Sequence, residues 1–177
     1  MKSVFLNGTV GVGKSTTAEH LGAHLIAHKI PHAVIDLDSI RQLWPAPEGD
    51  PFSLEIELLN LAALAANFER AGAQCLVMAG VIENASTAAR YRAALRDGQL
   101  SICRLTAPAG TVEQRLRSRH VNDAEGLQWH LHRSIELDSI LHAANVDDVV
   151  IDSAEKSPDE IAKKVFAVLG WTTNVVL

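Results

Sequence analysis

Gly8-Thr9-Val10-Gly11-Val12-Gly13-Lys14-Ser15 decides how this chain is read. Its Gly-x-x-x-x-Gly-Lys-Ser spacing is that of a phosphate loop. Glycines at Gly11 and Gly13 permit torsions that a side chain hinders, so successive backbone N–H groups can turn toward one anion. The segment from Gly8 through Thr16 is therefore expected to cradle phosphates, with Thr9, Val10 and Val12 contributing backbone. A helix starting near Lys14 aims its positive end at the same point. Lys14 is expected to reach the β- and γ-phosphates, and the Ser15 hydroxyl to bind Mg²⁺. The context fits, with an apolar strand, Ser3 to Leu6, before the loop and an apolar stripe of Ala18, Leu21, Leu25 and Ile26 after it.

Outward from the loop, short apolar runs alternate with helical stretches. Ala33 to Ile35, Gln74 to Ala79, Leu100 to Leu105 and Val149 to Ile151 read as four further strands. Helices are expected from Ser53 (as cap) to about Arg70, from Asn84 or Ser86 through Leu95, from Thr111, through about Ala143, and from Ser157-Pro158. Such alternation implies parallel strands with crossover helices. The strands lack strict polar alternation, as expected when helices cover both faces of the sheet. The expectation is one three-layer α/β domain over residues 1–177, with ligands at the C-terminal strand ends.

Composition sets the bounds. The 177 residues are 47% apolar, with a formal net charge of −5. That balance argues against a nucleic-acid-binding surface, which needs a basic face. No uncharged apolar run is long enough to cross a bilayer. Met1-Lys2 leads straight into a strand, so no signal peptide is read and a cytoplasmic location is expected. Cys75 and Cys103 sit in apolar runs and read as buried thiols. His20, His24 and His28 recur at four-residue spacing, off the core stripe, and read as a solvated face. The chain is expected to be a monomer or a homodimer.

Asp36-Leu37-Asp38-Ser39-Ile40-Arg41 follows the second strand. On an extended segment residues two apart point the same way, so both aspartates are expected to face the crevice beside the phosphate loop. One can hold a metal-bound water and the other can take the proton of an attacking hydroxyl. The alternative is a strand end with Asp38 as a helix cap. Arg41 can bind a polar or anionic acceptor. The third strand ends Val77-Met78-Ala79-Gly80 with no carboxylate, and no Asn-Lys-x-Asp run reads guanine. Both absences argue against motor-type or AAA-type ATPases and against GTPases. Trp44 opens a loop, Trp44 to Pro51, that holds three of the six prolines, and is expected to wall the acceptor pocket. Arg115 and Arg119 share one helical face and are expected to stabilise charge on the transferred group, from a lid at about 115–126. Arg133 can converge on the same anion.

The phosphate loop followed by Val34-Ile35-Asp36-Leu37-Asp38-Ser39-Ile40-Arg41 resembles adenylylsulfate kinase, whose second strand ends in a similar Asp-Gly-Asp-Asn-x-Arg run. Shikimate and gluconate kinases carry a related pair of aspartates. Asp38-Ser39-Ile40 is similar to a segment of chloramphenicol phosphotransferase. The resemblance implies a small P-loop kinase with strand order 2-3-1-4-5, Asp38 as base and Asp36 assisting the metal. It implies ATP and Mg²⁺ as cofactors and a small-molecule phosphate acceptor as partner. Adenylylsulfate kinase's Phe-x-Pro-x-x-x-x-Arg and Lys-Gly-Leu-Tyr segments are missing, which points to a different acceptor. The competing expectations are a nucleotide-binding regulator without turnover and a nucleotide hydrolase.

Overall fold

The computed structural model describes residues 1–96 and 98–171. Five parallel strands form one sheet: β1 (Lys2–Asn7), β2 (His32–Asp36), β3 (Cys75–Ala79), β4 (Leu100–Thr106) and β5 (Val149–Asp152). Their order is β2-β3-β1-β4-β5, as the resemblance implies. Val4 lies between Val77 on one side and Ser101 on the other, and Leu105 pairs with Ile151.

Alternation along the strands divides the core in two. Val4, Leu6, Val77 and Leu105 face one side, where α1 (Lys14–Ala27) and α7 (Pro158–Leu169) bury Leu21, Leu25, Ile161 and Val165. Phe5, Leu76, Met78 and Ile102 face the other, against α3 (Leu54–Arg70) and α4 (Ala85–Ala94), which bury Leu58, Leu61 and Tyr91. The Phe5 and Tyr91 rings meet edge to face at 4.9 Å. The remaining helices are α2 (Leu37–Ile40), α5 (Ala109–Arg119) and α6 (Ala124–Ala144). Covering both faces explains why β3 is buried throughout its length. The last residues of the expected domain, 172–177, lie outside the described residues.

Several local expectations change. Asp36 is the last residue of β2, and the chain turns at once into α2, so Asp38 sits on a helical turn and not on an extended segment. Asp36 is the cap: its Oδ1 accepts the Asp38 N–H at 3.0 Å. A strand carrying both aspartates would have projected them together; the cap instead bends the backbone between them. Ser53 occupies the position before α3, but with φ 52° and no side-chain hydrogen bond. Asp50 does the capping, accepting the N–H groups of Leu54 at 2.9 Å and Glu55 at 3.0 Å. Helix α5 begins at Ala109, two residues before Thr111. Asn84 caps α4, and Ser157 closes a capping box on α7.

The histidine stripe is only partly solvated: His28 is exposed, while His20 and His24 are half-buried. Helix α7 lies along α1, so His24 Nε2 reaches Asp159 at 2.9 Å and the His28 ring packs on Phe166 at 4.6 Å. No group of three or more metal-ligating side chains occurs among the described residues. Both cysteines are free and buried, and burial pushes the Cys103 thiol up to about 12. No described helix is long and apolar enough to cross a membrane.

The capping assignment is testable by urea denaturation. Asp50→Ala should lose about 1 kcal/mol, the usual value of a helix cap, and Ser53→Ala should lose almost nothing. Equal losses would return the cap to Ser53.

Candidate active site

Loop, helix α1 and the strand ends surround one cavity of about 880 Å³. Gly11 and Gly13 have φ of 81° and 105°, a region where side chains are strained, so the phosphate-loop spacing has the backbone it needs. Gly13 directly precedes α1, whose first N–H groups have no partner inside the helix. Val10, Gly11, Val12, Gly13, Lys14, Ser15 and Thr16 line the cavity; Gly8 and Thr9 do not.

The loop is held from outside. Asn7, fully buried at the end of β1, accepts the N–H groups of Gly8 and Ile82, each at 3.0 Å. Its amide donates to Asp147 at 2.9 Å and to the Ile82 carbonyl at 3.3 Å. Thr9 Oγ1 donates to the Ser134 carbonyl of α6 at 2.7 Å. Arg115 donates to the Val12 carbonyl at 2.8 Å and to the Ser153 carbonyl at 2.9 Å, tying the loop to the connection after β5. Arg115 therefore touches the loop from α5, with its guanidinium already bonded to protein carbonyls. Arg119, one turn on, is exposed and lines the cavity.

The Lys14 amine donates to the carbonyls of Gly8 at 2.9 Å and Thr9 at 3.0 Å. Burial lowers its pKa from 10.5 to about 8, partly opposed by the negative charges of Asp38 and Asp36 and reinforced by Arg119. Both aspartates line the cavity, so the helical turn still delivers them to the loop despite the changed backbone.

Behind Asp38 lies a chain of contacts that sequence reading missed. Arg41 pairs with Asp38 through one guanidinium nitrogen and with Glu57 Oε2, at 3.3 Å, through the other. Glu57 is 1% exposed. The Tyr91 hydroxyl donates to Glu57 Oε1. Burial raises the Glu57 pKa, opposed by Tyr91 and Arg41, and burial with the Glu57 charge raises that of the Tyr91 phenol. Glu57 falls in register with Leu54, Leu58 and Leu61, so a carboxylate on the apolar stripe of α3 was the available signal.

Other expected residues fall differently. Trp44 is 92% exposed and does not line the cavity; Phe52 and Trp129 are aromatic walls instead. Arg133 does reach the cavity, paired with Glu83 and, at 2.7 Å, with Glu136. The stretch expected as a lid, 115–126, comprises the end of α5, a turn and the start of α6, which Asp123 caps by accepting the Gly126 N–H at 2.9 Å.

Lys14 gives a pH test. Its folded pKa lies below its unfolded one, so the folded protein holds fewer protons between about pH 8 and 10.5 and stability rises with pH there. Lys14→Met should therefore be more stable than wild type at pH 7. That margin should shrink as pH climbs through this window. A margin independent of pH in urea denaturation contradicts the assignment.

Comparison with known proteins agrees with this geometry. A family model described as an AAA domain matches residues 4–140. That span starts in β1 and ends within α6, so the missing carboxylate after β3, which counted against AAA-type ATPases, does not set the chain outside this family. Among solved structures, a tunicamycin resistance protein from Deinococcus radiodurans matches at 25% identity and a TM-score of 0.66, over 97% of this chain and 96% of its own. The APS kinase of Mycobacterium tuberculosis, in complex with AMPPNP and APS, matches at 23% identity and 0.59, over 96% and 98%. A shikimate kinase from Acinetobacter baumannii, in complex with shikimate, matches at 19% and 0.61, over 100% and 96%. The chain belongs to the AAA domain family, and its fold is that of the small P-loop kinases.

Proposed function

We propose that this protein is an ATP- and Mg²⁺-dependent phosphotransferase acting on a hydroxyl of a small molecule. The observation that carries the reading is the sharing of one cavity by Lys14 and an Asp38 carboxylate held by Arg41. A protein that only binds nucleotide needs the loop and not a second, braced carboxylate beside it.

In the proposed reaction the acceptor oxygen attacks the γ-phosphorus. A new O–P bond forms, the bond to the bridging oxygen breaks, ADP leaves, and the hydroxyl proton passes to Asp38. Arg41 keeps that carboxylate in place, and buried Glu57 keeps Arg41 in place. Lys14 and Arg119 neutralise charge on the phosphoryl oxygens, while Arg115 acts mainly by holding the loop and the connection after β5 in register. The segment 115–126 is proposed as the lid over the nucleotide.

Mg²⁺ usually keeps several waters and takes one or two protein oxygens along with phosphates, so Ser15 and Asp36, both lining the cavity, suit it. When bound it would neutralise phosphate charge. The resemblance to small-molecule kinases favours ATP as the donor.

The test is ATP turnover across a panel of hydroxylated metabolites, with Asp38→Asn alongside wild type. Acceptor-dependent turnover is expected, falling by about 10²–10⁴ in Asp38→Asn while ATP affinity is kept. Unchanged transfer in that variant removes the base assignment. Turnover independent of any acceptor marks a hydrolase, and none under any condition marks a regulatory binder.

A further inference from the structure

The half of the cavity away from the nucleotide loop is built from α2, α3, α4 and α6, and its charges are already spoken for. Two arginines line it among the described residues, Arg41 and Arg133. Each has both arms of its guanidinium on carboxylates: Arg41 on Asp38 and Glu57, Arg133 on Glu83 and Glu136. The Arg133 guanidinium also lies over the Phe52 ring, 5.2 Å from its centroid. Asp50 adds a fifth carboxylate, whose pKa is lowered chiefly by the Glu55 N–H it accepts. Of these groups Asp38, Asp50 and Glu83 line the cavity, against two guanidinium charges, a formal excess of one negative group. The remaining cations on the cavity wall, Lys14, Arg115, Arg119 and Lys156, belong to the loop, α5 and the connection after β5, at the nucleotide end.

An anionic acceptor entering here meets no arginine that is not already paired with carboxylates; the other basic groups nearby on the wall are the imidazoles of His120 and His130. A guanidinium has five N–H donors, so these pairs leave some over, but its charge is already offset, and drawing Arg41 wholly onto the acceptor would leave Glu57 buried and uncompensated. A neutral or positively charged acceptor meets no such obstacle. Its polar groups can use the Glu83 oxygen that Arg133 does not engage and the remaining lone pairs of the Asp50 oxygens, and its apolar face can lie against Phe52 and Trp129, which are half-exposed.

Resting on the phosphotransferase reading, we propose that the acceptor is a hydroxylated molecule without an anionic group, either uncharged or amine-bearing. Charge exclusion by pre-paired arginines, and not a free arginine clamp, would set the specificity of this half of the site.

The test uses protein loaded with AMPPNP and Mg²⁺, titrated calorimetrically with matched probes: para-(hydroxymethyl)benzylamine, the corresponding benzamide, and para-(hydroxymethyl)benzoate. The amine and the amide should bind at least about tenfold more tightly than the benzoate. In a Glu83→Gln/Glu136→Gln variant that releases Arg133, with folding checked by circular dichroism, the margin should shrink. A benzoate that binds as tightly as the others, including no binding by any of the three, overturns the proposal. ATP turnover reads phosphoryl transfer and this titration reads charge selectivity, so either claim can fail while the other stands.

Discussion

A loop that is to bind an anion through its backbone N–H groups must leave those groups free. It can spend few of them on holding its own shape, and within this loop only the Val12 N–H turns back, on the Thr9 carbonyl at 3.4 Å. The rest of this structure follows from that constraint. Asn7 beneath the loop, Ser134 on α6 and Arg115 on α5 hold it through its first N–H, the Thr9 hydroxyl and the Val12 carbonyl. The lysine that would serve the anion is parked on two loop carbonyls, with its pKa brought down to about 8 by burial. The parallel sheet makes this possible because β1 is its central strand, flanked by β3 and β4, so the loop emerges where supports can approach from several sides.

The same logic recurs on the acceptor side. An exposed carboxylate on a four-residue helix is poorly fixed by its own backbone. Arg41 restrains Asp38, Glu57 restrains Arg41, and the Tyr91 hydroxyl satisfies Glu57. The anchor is expensive in isolation, since a buried carboxylate loses its hydration, and it persists because each of its oxygens has a partner. Tyr91 also packs on Phe5 of the central strand, so the orientation of Asp38 is referred back to the sheet core.

How much of this the sequence disclosed depends on chain separation. The loop is a local pattern, and its glycine spacing and flanking apolar runs were sufficient to place it and to imply the sheet around it. The Asp36–Arg41 element was legible as a set of residues, yet its backbone was not: whether Asp36 continues a strand or caps a helix depends on what Leu37 packs into, and Leu37 is buried in the core against α3. Asn7 with Asp147, Arg115 with Ser153, and Glu57 with Tyr91 join residues far apart in the chain, and no short pattern encodes such pairs. Trp44 shows the reverse error, in which a large aromatic beside prolines suggested a pocket wall but stands exposed, off the cavity.

The central claim is that a phosphoryl group leaves ATP for an alcohol inside this cavity. Its most direct measurement is the fate of the γ-phosphate: incubation with γ-labelled ATP, Mg²⁺ and a mixture of small hydroxylated compounds, followed by separation of the labelled products. The account predicts label in an organic phosphate ester. Label found only in inorganic phosphate, or retained wholly in ATP, would contradict it.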